Sequence, residues 1–403
     1  MSQWFERDSL RYHNGRLFFA GRDVGGFAAA FDEPIFLYDG DRAVENLRRV
    51  GTALRQRNPR SRIYYAMKAN RYRPLLCHLR ASGLFGLDVC SGEELREALA
   101  CGFTPEHISF TSHGLSPADA RLLAHFPKVI ANLDTISAIT SLGKLAHRGR
   151  EVGLRINPVT GFGYHDDERL VYAGTSVSKF GIYRAELPAA VEAARTHGLR
   201  ITALHCHAGC GALNPQLGTY KHVMATLAEF LDALPDVRLV NLGGGLGVPH
   251  LPDDEPLDLD LWAATVASAF AHRDVEIAVE PGDYVIKDAG MLVLRANYSE
   301  AKSGILFVGL DGGFNLAVEP VSYGLACAPA PCLRRPGPLR PTTLAGNLNE
   351  VIDVWARDID LPPIEPGDLV ALVNTGGYSS SMSSNHCMNG KFREFLFVGN
   401  TEN

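Results

Sequence analysis

The sequence predicts an α/β fold in which a parallel (β/α)8 barrel is joined to a β-rich second domain. Eight short β-branched or aromatic runs begin at residue 62, each followed by an Ala-, Leu- and Arg-rich stretch with helical spacing. Parallel strands need such crossovers between them. After residue 286, strand-like runs alternate with Gly/Pro turns and few helical stretches occur. A barrel of this kind commonly takes roughly 250 residues, so the 403-residue chain has room for both domains.

The barrel is predicted to occupy residues 37–285, and residues 1–36 with 286–403 are predicted to form the β-rich domain. In that domain RLFFAGRDV, near the start of the chain, is expected to pair with the C-terminal sheet. The eight predicted barrel strands are RIYYAMKA from residue 62, FGLDVCS from 85, HISFTSH from 107, KVIANLD from 128, EVGLRINP from 151, ITALHCHAG from 201, RLVNLGGGLG from 238 and EIAVEPGDYV from 276.

Composition narrows the class of protein. A content of 46% hydrophobic and 21% charged residues argues against a disordered, collagen-like or coiled-coil chain. The net charge of −6 argues against nucleic-acid binding, so a small-molecule partner is expected. We find no apolar run of about 18 residues and no signal-peptide pattern at the start, which predicts a cytoplasmic protein with no membrane partner.

The eight scattered cysteines form no CxxC pair and are expected to be free thiols. Cys206 and Cys210 interleave with His205 and His207, which raises the alternative of zinc. A structural zinc site needs a closed tetrahedral set, and no second cluster lies at finger spacing. No metal is therefore expected.

Polar residues follow nearly every predicted barrel strand. In this architecture the active site lies at the carboxyl ends of the strands, so polar residues there carry more weight than elsewhere. One such residue would be weak evidence, but a series converging on one mouth indicates a site. The series is Lys68, Asp88, His113, Asp134, Asn157, His207, Gly243 to Gly245, and Glu280.

Three of these features together predict pyridoxal 5'-phosphate. The glycine run of residues 243–245 follows the seventh strand, where backbone N–H groups can approach a phosphate closely. Lys68 follows the apolar-aromatic run YYAM, where desolvation is expected to lower its pKa toward that of a nucleophilic amine. Glu280 can hold a pyridine nitrogen protonated and so make the ring an electron sink.

The chain resembles the fold-type III pyridoxal-phosphate decarboxylases, which include diaminopimelate, ornithine and arginine decarboxylases. The resemblance covers nearly the whole chain and implies an alanine racemase/ornithine decarboxylase-like fold, a lyase of amino-acid metabolism, and a head-to-tail homodimer whose sites are completed by the partner's β-domain. The motifs that carry it are YYAMKAN, DVCSGEEL, SKFGI, HCHAGCG, NLGGGLG, EPGDY, GNLNEVIDVWARD and NTGGYSSSMSSN.

The resemblance also implies roles for individual residues. Lys68 would carry the cofactor covalently, His207 would stack on its ring, and Glu280 would pair with the ring nitrogen. Asp88 and Glu94 resemble acids that surround the lysine, with helix-start charges as the alternative reading. The phosphate would be bound by Gly243, Gly244, Gly245, Tyr378 and Cys210, the last standing where the family usually has serine.

Two departures from the family concern the substrate. Asp283 stands where EPGR has arginine, and Glu319 stands where diaminopimelate decarboxylases have arginine before proline, with Tyr323 retained. Arginines there would hold a distal carboxylate by paired hydrogen bonds, whereas acids would repel it. We therefore expect a substrate other than diaminopimelate, with a neutral or cationic distal group. The alternative is that the acids face solvent in shifted loops.

A further departure concerns the proton that the α-carbon takes up. The family segment CESGD reads here as residues 349–353, so Asn349 replaces the cysteine that protonates the carbanion, and an amide has no comparable acidic proton. Glu350 matches the family's substrate-amine contact, and Asp353 is assigned to the substrate with it. Lys68, a water, His386 or Cys387 remain as possible donors.

The function predicted from these observations is a decarboxylase of an amino acid or amino-acid derivative. The alternatives are an amino-acid racemase or epimerase with the same cofactor, a non-catalytic relative that binds a partner or an amine, and a flavin or sugar-phosphate barrel enzyme. The retained Lys68 and glycine run favour catalysis over mere binding.

Overall fold

The chain begins with a small antiparallel sheet that lies outside the barrel. The computed structural model describes residues 3–83, 85–174 and 176–399. RLFFAGRDV pairs within this sheet and meets the C-terminal part only through a bridge from Arg16 to Leu333, so its expected pairing is corrected. Its side chains nevertheless share a core with the second domain. The elements are β1 (Leu10–His13), β2 (Arg16–Phe19), β3 (Arg22–Asp23) and helix α1 (Val24–Ala28).

Strand β4 (Ile35–Asp39) leads into helix α2 (Gly40–Arg57), and eight parallel strands then close into the predicted barrel. Each strand coincides with one of the eight predicted runs, although β5 and β10 begin one residue before theirs. The barrel elements are β5 (Ser61–Ala66), α3 (Arg73–Ala81), β6 (Gly86–Val89), α4 (Gly92–Ala100), β7 (Ile108–Thr111), α5 (Pro117–His125), β8 (Ile130–Leu133), α6 (Ile136–Gly143), β9 (Glu151–Arg155), α7 (Leu187–Thr196), β10 (Arg200–His205), α8 (Leu217–Phe230), β11 (Leu239–Asn241), α9 (Leu259–Phe270) and β12 (Glu276–Val279).

Local sequence explains where the barrel helices begin. At α4 the Ser91 hydroxyl accepts a hydrogen bond from the Glu94 N–H at 3.2 Å, and the Glu94 carboxylate accepts one from the Cys90 N–H at 2.7 Å. These bonds satisfy N–H groups that a helix start leaves free. Glu94 therefore caps the start of α4, in agreement with the helix-start reading.

The second domain is a sheet in which the long strand β13 is central. Its first half pairs with β18 and β4, and its second half pairs with β14. The sheet runs in the order β15, β18, β13, β14, β16, β17, and β19 pairs with β4. The elements are α10 (Asp283–Ile286), β13 (Gly290–Lys302), β14 (Ile305–Leu310), α11 (Glu319–Tyr323), β15 (Ala328–Pro331), β16 (Arg340–Ala345), β17 (Val354–Leu361), β18 (Leu369–Val373) and β19 (Arg393–Phe397).

Short helices α10 and α11 bring the second domain to the mouth of the barrel. Helix α10 follows β12 directly, and α11 lies in the loop after β14. Among the helices of the described residues, none is long and apolar enough to cross a membrane.

Candidate active site

A cavity of about 360 Å³ opens at the carboxyl ends of the barrel strands. A larger depression of about 820 Å³ lies at the opposite end of the barrel, but charged side chains there pair with each other, as Arg62 does with Glu276 at 2.7 Å. The chemistry-bearing residues therefore converge on the smaller cavity. Its lining includes Lys68, Cys90, His113, Arg155, Leu170, Tyr172, Phe180, His205, His207, Cys210, Gly244, Gly245, Glu280, Asp283, Glu319, Tyr323 and Tyr378.

Lys68 lies in a short 3-10 turn, Met67–Ala69, directly after β5, and its amine faces the cavity. Its Nζ is 2.8 Å from Oδ2 of Asp88. Asp88 lies in the neighbouring strand β6, opposite Ala66, and its side chain is fully buried. Burial alone would lower the pKa of Lys68, but neighbouring acids, Asp88 above all, outweigh it and raise the pKa well above its usual value. In the protein without cofactor the shift is therefore opposite to the expected one, and Asp88, whose own pKa burial raises to about 8, accepts a hydrogen bond from the amine.

Glu280 directly follows β12, and three buried side chains hold its carboxylate. Its Oε1 accepts hydrogen bonds from the Ser109 hydroxyl at 2.8 Å and the Asn241 amide at 2.6 Å, and its Oε2 is 3.0 Å from Nε2 of His205. Burial acts to raise the pKa of Glu280, but His205 and the other partners lower it to about 2. The carboxylate is therefore ionised and fixed in place, as an anion opposite a protonated ring nitrogen has to be.

The loop after β11 comes so close to its neighbours that only glycine fits. A Cβ on Gly244 would lie 2.4 Å from the carbonyl oxygen of Glu280, and a Cβ on Gly245, whose φ is +90°, would lie 2.3 Å from that of Gly209. The Gly244 N–H donates to Nδ1 of His207 at 3.3 Å. The bare backbone at the cavity rim has the form of a cradle for an anion.

His207, Tyr378 and Cys210 complete the region predicted to hold the cofactor. His207 contacts the Tyr172 ring edge-on at 4.8 Å, and burial lowers its pKa well below the usual value, so its imidazole is neutral. The Cys210 thiol donates to Oδ2 of Asp283 at 3.3 Å. Glycine backbone, an ionised carboxylate and a lysine amine on one cavity fit the phosphate, ring nitrogen and aldehyde of pyridoxal phosphate.

Two acids and one lysine form a buried cluster in the cavity wall. Nζ of Lys287 lies 3.4 Å from Oδ1 of Asp283 and is hydrogen-bonded to Oε2 of Glu319. The Lys287 side chain is only 2% exposed and does not line the cavity, whereas both acids do. Burial, with the like charge of Asp283, raises the pKa of Glu319 to about 8 against the pull of Lys287. Neither acid faces bulk solvent, so the shifted-loop alternative is not what the structure has.

Three residues predicted at the site lie away from the Lys68 cavity of the same chain. Asn349 and Glu350 are exposed, and Glu350 pairs with His386 at 3.1 Å. The Asp353 carboxylate accepts hydrogen bonds from the N–H groups of Leu348 at 2.7 Å and Phe314, so it holds the loop rather than presenting free oxygens. None of the three is among the residues that line the Lys68 cavity.

The sequence patterns indicated His113 and Asp134 without assigning them a role, and they did not indicate Lys287 or Arg155. Lys287 lies four residues after Asp283, which is one helical turn, and that spacing was a usable signal. Arg155 ends β9, is nearly buried, and lies 4.5 Å from the Phe180 ring centre, with no carboxylate at ion-pair distance in the described part of the chain. It is a cation facing the cavity.

Comparison with known proteins agrees with this geometry. Residues 44–287 match the family described as pyridoxal-dependent decarboxylase, pyridoxal binding domain. The chain is 32% identical over 388 residues to a diaminopimelate decarboxylase of Methanothermobacter thermautotrophicus, covering 92% of this chain and 88% of the relative.

Solved structures show the same architecture. A diaminopimelate decarboxylase of Helicobacter pylori in complex with L-lysine superposes with a TM-score of 0.85 at 25% identity, covering 93% of both chains. The arginine decarboxylase of Paramecium bursaria Chlorella virus, bound to agmatine, superposes with a TM-score of 0.80 at 18% identity, covering 93% of this chain and 99% of that one. The latter likeness concerns the fold alone.

Proposed function

Since this chain belongs to the family of pyridoxal-dependent decarboxylases, we propose that it removes the α-carboxyl group of an amino acid or amino-acid derivative whose distal end is neutral or cationic. The observation that carries this proposal is the placement of Asp283 and Glu319 in the wall of the Lys68 cavity, with Lys287 behind them. Their carboxylate oxygens, not the ammonium, are what a substrate would meet.

Pyridoxal phosphate, when bound, accepts the electrons that departing carbon dioxide leaves on the α-carbon. We propose that Lys68 binds it covalently and gives way to the substrate amine. Glu280 would hold its ring nitrogen protonated and His207 would cover one face of the ring. The phosphate would lie on the glycine cradle, with Tyr378 and Cys210 beside it. Asp88 would hold the proton of the Lys68 amine at Nζ, 2.8 Å away.

The hydrogen-bonding groups in the cavity wall determine which distal group of a substrate would bind there. Lys287 donates to Glu319, lies 3.4 Å from Asp283 and is almost fully buried, whereas Asp283 and Glu319 both line the cavity. An ammonium, guanidinium, amide or hydroxyl can donate to the carboxylate oxygens of these acids. A substrate carboxylate 4 Å from one of them would instead be repelled by about 4 kcal/mol when both are ionised near a protein surface.

Diaminopimelate itself is the second candidate. The relatives named above carry that substrate in their names, and Lys287 supplies one positive charge to the same wall. If Lys287 were to move past the two acids, its ammonium could meet a distal carboxylate. The two candidates therefore differ in which member of the cluster touches the substrate.

We also propose that two copies of the chain form a homodimer in which each completes the other's site. Glu350 is exposed beside two apolar side chains, Val351 at 92% and Ile352 at 54% exposure. Exposed apolar surface beside a polar group of this kind is typical of an interface. This arrangement would bring Glu350 to the partner's cavity, where it could contact a cationic distal end.

The test is a panel of amino acids with anionic, neutral and cationic distal groups, offered to the pyridoxal-phosphate-loaded protein while carbon dioxide release is measured. We expect release from neutral or cationic members, and a loss of preference for cationic over neutral members in D283N and E319Q. Asp39→Asn is the matched control, because its carboxylate is also buried but caps helix α2 outside this cavity. Release from diaminopimelate alone would establish the second candidate instead.

A further inference from the structure

We propose that His113, positioned by Asp134, is the acid that delivers a proton to the substrate's α-carbon after carbon dioxide has left. The two residues follow adjacent barrel strands, β7 and β8, and Nδ1 of His113 lies 2.8 Å from Oδ2 of Asp134. The inference rests on the decarboxylation itself and not on the distal group proposed above.

The Asp134 carboxyl group orients the His113 imidazole. The Asp134 side chain is fully buried, and among the described residues its Oδ1 has no partner and His113 is the only side chain bonded to this carboxylate. The His113 side chain is 34% exposed, lines the cavity with Lys68 and Glu280, and contacts the Phe180 ring edge-on at 5.6 Å. Its Nε2 has no protein partner among the described residues, so it is free to act in the cavity. Because Nδ1 is bonded to Asp134, Nε2 is the ring nitrogen that can present a proton to the cavity.

Other acidic groups on the cavity are less suited to this step. The pKa of the Cys90 thiol is raised to about 12 by burial, and the Cys210 thiol is bonded to Asp283. His205 is committed to Glu280 through Nε2, and His207 is a neutral imidazole. Asn349, which replaces the family cysteine, carries only an amide. Compared with these groups, His113 combines a carboxylate partner, a ring nitrogen without a protein partner and access to the cavity.

The proposed step conserves atoms, electrons and protons. The bond between the α-carbon and its carboxyl carbon breaks, carbon dioxide leaves, and the electron pair stays with the α-carbon. The Nε2–H bond of the His113 imidazolium then breaks and its proton forms the new C–H bond. The neutral imidazole regains a proton from water, which its exposed edge admits.

The test uses the loaded enzyme, in D2O, with whichever amino acid of the panel releases carbon dioxide. If that amino acid is diaminopimelate, the distal-group proposal fails while this test stands. The unaltered protein is expected to place deuterium on one side of the α-carbon. H113N is expected to lower kcat by about 10²- to 10⁴-fold and to give a mixture of configurations, because water then supplies the deuteron. H113A is expected to regain rate when free imidazole is added.

Controls separate positioning from folding. His165 and Asp254 form a second pair at 2.8 Å that does not line the cavity, so H165N is expected to keep both rate and configuration. D134N is expected to move the His113 ring-nitrogen NMR signals of the resting protein and to scramble the product partly. The proposal is overturned if H113N keeps a single configuration at undiminished kcat, or if H386N scrambles the product and H113N does not.

Discussion

Removing the ammonium of Lys287 should destabilise the protein in proportion to the charge that it leaves behind. Asp283 and Glu319 are 6% and 8% exposed as side chains, and Lys287 is their common cation. Breaking a buried ion pair by deleting one partner costs about 3–5 kcal/mol. Unfolding entropy is about 2.1 cal/mol/K per residue, so a chain of 403 residues in K287M should lose about 4–6 °C in Tm.

The assay is thermal unfolding of the cofactor-free protein between pH 6 and pH 9. The loss in K287M should grow with pH, because a protonated Glu319 leaves one uncompensated charge and an ionised Glu319 leaves two. Adding E319Q to K287M should recover about half of the loss. Lys128 is an exposed lysine, so K128M should stay within about 0.5 kcal/mol of the parent. A K287M curve that matches K128M at pH 9 would refute the buried-cluster reasoning.

Three further predictions concern other parts of the site. Lys68→Ala should remove the visible absorption band of the bound cofactor and lower carbon dioxide release by at least about 10²-fold, measured after cofactor loading. Glu280→Gln should lower release by about 10²- to 10³-fold while the protein still binds cofactor, because the fixed negative charge is lost; an unchanged rate would contradict its role. Gly244→Ala should cost about 1–3 kcal/mol of stability and weaken cofactor binding in an absorbance titration, since its Cβ would meet a carbonyl oxygen at 2.4 Å. Gly218→Ala, whose Cβ meets nothing within 4 Å in helix α8, should instead gain about 0.5–1 kcal/mol.

The barrel could be predicted from sequence because its strands are buried and short, and because helical spacing separates them. Strand β6, for example, is buried at all four positions, and a Ser-Gly pair lies on each side of its run in the sequence. The N-terminal strands were harder, since a short hairpin carries no information about which sheet it will join. β1 and β2 pair with each other, and apart from the bridge between Arg16 and Leu333 it is their side chains that reach the second domain.

The site residues on strand ends were also predictable, but their electrostatics were not. The run YYAM suggested a desolvated Lys68, yet the register of β5 against β6 sets Ala66 beside Asp88 and so brings a carboxylate to the amine. A pKa depends on neighbours in space, which a local run does not contain. For the same reason the sequence did not reveal the pairing of Lys287 with Glu319, which is 32 residues away in the chain.

The two departures from the family pattern have a common structural consequence. Where arginines are replaced, Lys287 on the turn after α10 lies behind the two acids, and where the cysteine is replaced, His113 on the loop after β7 is the donor that we propose. The proposed proton donor thus lies on the same chain as Lys68, whereas Glu350, which does not line that cavity, is proposed to reach the cavity of another copy. It follows that a variant unable to pair with a second copy should lose substrate preference and rate, yet any product that it does form should still carry its deuterium in a single configuration. The side of protonation therefore separates a donor within the chain from one supplied across an interface, whichever substrate is turned over.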